Sequence, residues 1–344
     1  MDKNKVTTIK DIAKYTGFSI ATVSNVINKK EIFYSEDTYK KIIKAIKKLN
    51  YYPNIIARGL VKRKTNSIAF LIPLITDFFS KVLIGIQESA NVSEYSISLY
   101  SSQYNTDKEE KNVKSIISNK ADGVILSSTI LDDNNLKRIE EKKIPYVLIE
   151  DFKKVKGTNY VTVDNRIISK KAVNYLIELG HKKIGVIGET LKIPTISERI
   201  KGYKDALFDN KIKFNKSNVF INDSLHEEFF ENGYEYTKGL IKENPEITAY
   251  FITSDIIAIS ALRAIKDLGL KVPEDISIIG FDGLEVSKFI YPKLTTVSLP
   301  RYEMGYEAMN MLLKIIDKKA TNNIKLEAKL IIGESTGKVR KSGN

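Results

Sequence analysis

The sequence predicts a chain in two parts: an all-α N-terminal unit, then an α/β body of two doubly wound parallel sheets. Three observations carry this. Positive charge gathers at one end, because residues 1–65 hold 15 Lys and Arg against 5 Asp and Glu, whereas the remaining 279 hold 40 against 37. Before Ser67 the apolar residues recur at helical spacing. After it, short apolar runs alternate with amphipathic stretches, the pattern of strands joined by crossover helices.

In the N-terminal unit Ile9, Ile12 and Ala13 share a helical face that ends at Gly17. Ser19 is placed to cap a second helix with Val23, Val26 and Ile27 on its apolar side. Two short helices joined through a glycine, with small Ala13 at the crossing, read as a helix-turn-helix. A third helix starts at Ser35, with Glu36 and Asp37 at its positive end. Ile42, Ile46 and Leu49 form its apolar stripe and Lys40, Lys41, Lys44, Lys47 and Lys48 face elsewhere. Such a motif enters the major groove with the N-terminus of its second helix. Ile20, Ala21 and Asn25 then face base edges: Asn25 suits an adenine edge, and Ile20 or Ala21 a thymine methyl. Ser19, Thr22 and Ser24 fall near phosphates, and Lys10 adds charge that holds the backbone without reading sequence. Ile20 has an alternative place in the core.

Composition narrows the rest. The 344 residues are 42% hydrophobic and 28% charged, with net charge +13, so a polyanion is the expected partner of the basic end. There is no cysteine, and the two histidines, His181 and His226, lie far apart, so no metal or cofactor is expected. No apolar run reaches the ~18 residues of a membrane span, and the chain opens without a signal-peptide pattern. A cytoplasmic protein is expected. An enzyme is not: there is no phosphate-binding loop, dinucleotide fingerprint, nucleophile elbow or HExxH.

Three segments in order then carry a resemblance. Thr8-Ile9-Lys10-Asp11-Ile12-Ala13, Ala21-Thr22-Val23-Ser24, and Tyr52-Pro53-Asn54 with Ala57-Arg58 and Leu60 are similar to the headpiece and hinge of the LacI/GalR family of bacterial repressors. The resemblance implies a hinge helix from Asn54 to Val61, with Asn54, Ala57 and Leu60 at DNA and Leu60 wedged between base pairs of the minor groove. Eight residues are too few for a stable isolated helix. The hinge would therefore order only when paired with a second copy on DNA. Gly59 departs from the pattern and weakens the helix further.

Over the body the expected strands are 68–74, 96–100, 123–126, 146–149, 160–163, 184–187, 249–252, 276–279 and 295–297, with helices such as 170–179 and 255–268 between them. Ligands of doubly wound sheets bind beyond the C-terminal strand ends. The resemblance continues through Val163-Asp164-Asn165, Leu179-Gly180-His181, Glu198-Arg199, Ser254-Asp255, Gly280-Phe281-Asp282 and Leu294-Thr295-Thr296. It implies a two-lobed, periplasmic-binding-protein-like (type I) core. The implied domains are a headpiece (1–52), a hinge and linker (53–65), an N-terminal lobe (66–164 plus 292–325) and a C-terminal lobe (165–291 plus 326–344).

Carried over residue by residue, Phe79, Glu150, Arg199, Ser254 and Asp282 would bind the effector. Arg and Asp together grip vicinal hydroxyls or a purine edge. Phe229 or Phe230 would add an aromatic wall. Each also has a plainer reading: Arg199 and Asp282 as a structural ion pair, Phe79 as core, Glu150 as a loop carboxylate. The family's common Asn-Pro before the paired Phe is missing, leaving Thr76-Asp77-Phe78-Phe79, and Ile168-Ser169 replace its glycines. Glu150 stands where Asp is common, and Ser254 where Asn is. The expected function is a homodimeric regulator that binds a pseudo-palindromic duplex operator under control of a small molecule, most simply a sugar. A catabolite-control type modulated by a protein partner is the alternative. A transport binding protein would share the body, but it has no use for a basic helix-turn-helix.

Overall fold

The structure is a computed structural model; it describes residues 7–29, 31–51, 64–127, 133–150, 157–226 and 229–339. The chain divides into two compact units, Met1–Asn66 and Ser67–Asn344.

The first unit holds α1 (Ile9–Thr16), α2 (Ile20–Ile27) and α3 (Glu36–Lys48). Their starts are capped as the sequence suggests. Thr8 and Asp11 form a reciprocal capping box at α1. Ser19 Oγ accepts the Thr22 amide at 3.0 Å, and Ser35 Oγ accepts that of Thr38 at 3.3 Å. Gly17 ends α1 at φ +73°, a left-handed conformation that glycine adopts without strain. Ile12, Ala13, Val23, Val26, Ile42 and Ala45 form the buried core, and the lysines of α3 stay exposed.

The second unit contains two six-stranded sheets. In chain order the first is built from β1 (Ser67–Ile72), α4 (Asp77–Val92), β2 (Ser96–Ser101), α5 (Thr106–Ser118), β3 (Gly123–Leu126), α6 (Asp133–Glu141), β4 (Tyr146–Ile149) and β5 (Tyr160–Val163). The second takes α7 (Asn165–Glu178), β6 (Ile184–Gly188), α8 (Pro194–Asp209), β7 (Val219–Ile221), α9 (Phe229–Glu243), β8 (Ala249–Ile252), α10 (Asp255–Asp267), β9 (Ser277–Asp282) and β10 (Thr295–Ser298). Then α11 (Arg301–Ile316) and β11 (Ile324–Leu326) return to the first, and β12 (Lys329–Ile331) to the second. Spatial order is β11-β5-β4-β3-β1-β2 and β12-β10-β9-β8-β6-β7. All pairings are parallel except β10 with β12.

Both faces of each sheet are covered, as parallel sheets require. Successive side chains of β1 show it: Ile68, Phe70 and Ile72 join the core shared with α4 and α11, while Ala69 and Leu71 pack with Val113 and Ile116 of α5. The α4–α11 crossing is close because it runs through Gly85 and Gly305. A Cβ on Gly305 would meet the Val82 carbonyl, and one on Gly85 that of Tyr302.

Two expectations need correction. The resemblance puts residues 292–298 in the N-terminal lobe, but β10 pairs with β9 and β12 in the second sheet. The chain therefore crosses after Ser298, where Leu299-Pro300 leads into α11, and not near Tyr291. The helix expected over 170–179 begins at Asn165, because Asp164 Oδ1 accepts the Ile167 amide at 3.0 Å and caps it. The strands β7, β11 and β12 leave no pattern in the sequence: each has three residues, none fully buried. Alternation is invisible over so short a run.

Candidate functional site

On the headpiece, Ser19, Ile20 and Ala21 stand exposed at the start of α2, as does Lys10 on α1. Ile20 is 46% exposed, which removes it from the core. Thr22, Ser24 and Asn25 are half-buried. Two of them have partners: the Thr22 hydroxyl pairs with Ser19 Oγ at 2.9 Å, and Ser24 Oγ accepts from Asn28 Nδ2 at 3.2 Å. The helix therefore presents an apolar residue and small side chains at its N-terminal end. Asn54, Ala57 and Leu60, with the hinge expected around them, lie outside the described residues.

In the body, Arg199 gathers several groups. It projects from α8 and is 5% exposed. Its Nε donates to Asn165 Oδ1 at 3.0 Å and its Nη1 to the Thr253 carbonyl at 2.7 Å. The guanidinium carbon lies 3.7 Å from the centre of the Phe281 ring. Asp282 Oδ1 is 3.6 Å from Nη1, and Glu150 Oε1 is 3.8 Å from Nη2. Glu150 follows β4 of the first sheet and Asp282 ends β9 of the second. The cluster thus sits at the C-terminal strand ends, where such folds bind ligands.

Backbone geometry sets both carboxylates apart. Glu150 has φ +65° and Asp282 φ +114°, conformations that cost a non-glycine residue roughly 1–3 kcal/mol. In a regular strand Phe281 and Asp282 would point to opposite faces; the positive φ brings both to Arg199. The turn after β9 is held from behind. Asp255, fully buried at the start of α10, accepts from the Leu284 amide (2.7 Å), Ser287 Oγ (2.9 Å) and Thr296 Oγ1 (2.6 Å). Arg301 Nη2 donates to the Gly283 carbonyl at 2.8 Å.

Burial pushes the Asp282 carboxyl well above its usual range; Arg199 opposes this, while Asp255, Glu189 and Glu150 add to it. Burial likewise raises Glu150 against the pull of Arg199. Burial also raises Asp255, to about 6, against its three hydrogen bonds and Arg301. Tyr104 is raised by burial first, then by Glu189, Asp282 and Glu150, which places its hydroxyl in the same field.

The structure therefore brings Arg199, Asp282 and Glu150 together. Ser254 is buried beside them as the residue before α10. The ring contacts of Phe79 are with Phe78 and with core residue Phe70, at centroid distances of 5.0 and 6.4 Å. Phe230 is exposed, and the side chain of Phe229 lies outside the described set. Asn165, Thr253, Glu189, Phe281 and Tyr104 were not expected in the cluster. Thr253 and Glu189 directly follow strand ends, whereas Asn165 and Phe281 stand within segments that carry the family resemblance.

Among the described residues no group of three or more His, Cys, Asp or Glu could hold a metal ion, and no helix is long and apolar enough to cross a membrane.

Comparison with known proteins places these features. Residues 8–54 match the model for bacterial regulatory proteins of the lacI family, and residues 173–336 that for a periplasmic binding protein-like domain. The chain is 36% identical over 334 residues to HTH-type transcriptional regulator RegA of Clostridium saccharobutylicum, covering 96% of this chain and 99% of the relative. It is 32% identical over 318 residues to catabolite control protein A of Priestia megaterium, covering 92% and 94%. Among solved structures it resembles a complex of transcriptional regulator CelR with cellobiose, at TM-score 0.71 and 26% identity over 96% of this chain and 99% of that one. The chain belongs to the lacI family of bacterial regulatory proteins and is a DNA-binding transcriptional regulator, not an enzyme.

Proposed function

We propose that this regulator is a cytoplasmic homodimer that represses from a pseudo-palindromic operator and releases or tightens its hold when a sugar-type effector binds at Arg199. The observation that carries the reading is the convergence of Glu150 and Asp282, one from each sheet, on a single buried guanidinium. A molecule bound there touches both lobes, so its binding energy depends on how the lobes are set. By linkage, an effector that changes operator affinity must have its own affinity changed by operator to the same factor.

Several features support the rest. Ile20, Ala21 and Asn25 would read base edges, while Ser19, Thr22, Ser24 and Lys10 hold the phosphates. A two-fold protein reads a two-fold site, and Phe289 and Tyr291, 81% and 93% exposed on the second lobe, suit a face that a second copy covers. Asn54, Ala57 and Leu60 would seat the hinge in the minor groove. The relative CelR, solved with cellobiose, supports a sugar in the site.

The test is selection of duplexes from a random library by the purified full chain, followed by binding titrations with and without a sugar panel. The expected result is an enriched inverted repeat whose affinity shifts in the presence of one panel member. Asn25→Ala should change the preferred base at one position, at a cost of about 1–3 kcal/mol. Enrichment of no sequence over random DNA would refute the reading. An enriched site whose affinity ignores every small molecule would instead favour control by a protein partner.

A further inference from the structure

We infer that Arg301 is a clasp between the two lobes, tied on one side to Asp77 and on the other to Gly283, and that it holds the lobes at the setting the structure shows. Its regulatory meaning rests on the effector reading above, because only then does the lobe setting govern operator affinity. Arg301 opens α11 directly after the Leu299-Pro300 crossing and is 6% exposed. The helix belongs to the first lobe, where it packs on α4 through Gly85 and Gly305 and lies against β3, β4 and β5. Gly283 belongs to the second lobe, one residue past the end of β9.

The guanidinium spans both lobes. Its Nη1 donates to Asp77 Oδ2 at 3.0 Å and to the Asp77 carbonyl at 3.3 Å, at the start of α4. Its Nη2 donates to the Gly283 carbonyl at 2.8 Å. That carbonyl is fixed in direction: Gly283 has φ +67°, and a Cβ there would lie 2.5 Å from Ser298 Cα, so only glycine fits. The crossing backbone adds a bond from the Leu299 amide to the Asp282 carbonyl at 3.3 Å. A rotation of the lobes about this crossing moves Gly283 relative to Asp77, and one side of the clasp must break. The planar fork of arginine can serve both sides at once, which a single ammonium cannot do in the same geometry.

The two sides differ in strength. The Asp77 side chain is 54% exposed, so water and salt compete for its ion pair, and losing it should change the lobe populations by about fivefold at most. The Gly283 bond comes from a charged donor in a buried place, and losing it should change them by about tenfold or more. The resemblance would put a proline at position 77, the first of α4, and proline has no carboxylate to offer. The clasp therefore comes with this chain's departure, Thr76-Asp77-Phe78-Phe79. An acid in the first turn of a helix also favours the helix by itself, but that plainer role changes stability without moving the lobes.

The experiment reads the distance between lobes in the full chain, without DNA or sugar. The chain has no cysteine, so Ser118→Cys in the first lobe and Lys242→Cys in the second take spin labels at those two places alone. Both positions are exposed. Pulsed dipolar spectroscopy, with labelled chain diluted in unlabelled chain, gives the distance distribution in the parent, in Asp77→Ala and in Arg301→Met. Arg138→Ala is the control, because its ion pair with Glu110 lies within the first lobe. The expected result is one dominant distance in the parent and a second population in Asp77→Ala, larger in Arg301→Met, with Arg138→Ala unchanged. Salt at about 1 M, which screens charges beyond about 3 Å, should reproduce the Asp77→Ala distribution in the parent and add nothing in Asp77→Ala itself. An unmoved distribution in Asp77→Ala would overturn the clasp, whatever that variant does to stability. A shift of the same size in Arg138→Ala would overturn it too, because the loss of any surface ion pair would then suffice. Where Arg301→Met does not fold, Asp77→Ala carries the comparison. No ligand enters these measurements, so a sugar panel without effect on operator affinity would sink the effector reading and leave the distances as they stand.

Discussion

The Arg199 guanidinium sits over Phe281 with its carbon 3.7 Å from the ring centre. That contact puts a cation on the negative face of an aromatic ring in a buried place, where the attraction reaches about 2 kcal/mol or more. Phe281→Leu keeps most of the apolar volume and removes the face. It should cost about 1–3 kcal/mol in chemical denaturation, and Phe281→Ala, which also opens a cavity, about 3–5 kcal/mol. A Leu variant as stable as the parent would mean that Phe281 matters for packing alone.

Asp77 and Arg301 form a second ion pair, at 3.0 Å, and its halves are unequal. Asp77 is half exposed at the start of α4, where the family's common Asn-Pro is absent, whereas Arg301 is buried and also holds the Gly283 carbonyl. Asp77→Ala should therefore cost about 1 kcal/mol or less. Arg301→Ala should cost about 2–4 kcal/mol, because it strands a carbonyl beside the turn that carries Asp282. Equal losses in urea titrations of the two variants would show that the pair, and not the Gly283 bond, is what counts.

In the headpiece, stability and recognition should separate between adjacent residues. Ser19→Ala removes the cap of α2 and the partner of Thr22, and should lower stability by about 1 kcal/mol. Ile20→Ala should stay within about 0.5 kcal/mol of the parent, since Ile20 is exposed, yet change the selected DNA sequence. Thermal melts of the headpiece beside library selection with each variant check both. A large loss of stability in Ile20→Ala would put that residue back in the core.

His181 supplies a pH dependence with a definite sign. Its Nδ1 pairs with Thr248 Oγ1 at 2.9 Å, and its Nε2 with the Gly337 carbonyl at 3.0 Å and Ser277 Oγ at 3.1 Å. Burial lowers its pKa, opposed by the Gly337 bond. The unfolded chain therefore binds the proton first as pH falls. The contribution of His181 to stability is complete above the unfolded value of about 6.5 and is lost as pH drops through the folded value. Asp255 works the other way: with its carboxyl raised to about 6, it favours the fold at low pH and loses that as pH rises from about 4 through 6. NMR titration should show the His181 imidazole titrating below the usual range. A value at or above 6.5 would refute the assignment.

The order of helices and strands, the basic end, the caps at Ser19 and Ser35, and the family were all legible in the sequence, because each is written in local spacing. Helix period, alternation over four or more residues and capping chemistry act between near neighbours. The N-terminal surface of α2 was legible for the same reason. The family pattern also named Arg199, Glu150 and Asp282 singly. What only the tertiary structure decided is that they meet, that Phe281 lies under the cation, that Asn165, Thr253 and Glu189 complete the cluster, and that the chain crosses at Leu299-Pro300. Glu150 and Asp282 come from different sheets and meet only where the two sheets pack together, and a backbone turned to positive φ reverses the face that strand alternation would assign. Both depend on how the two sheets come together, and no local pattern encodes that.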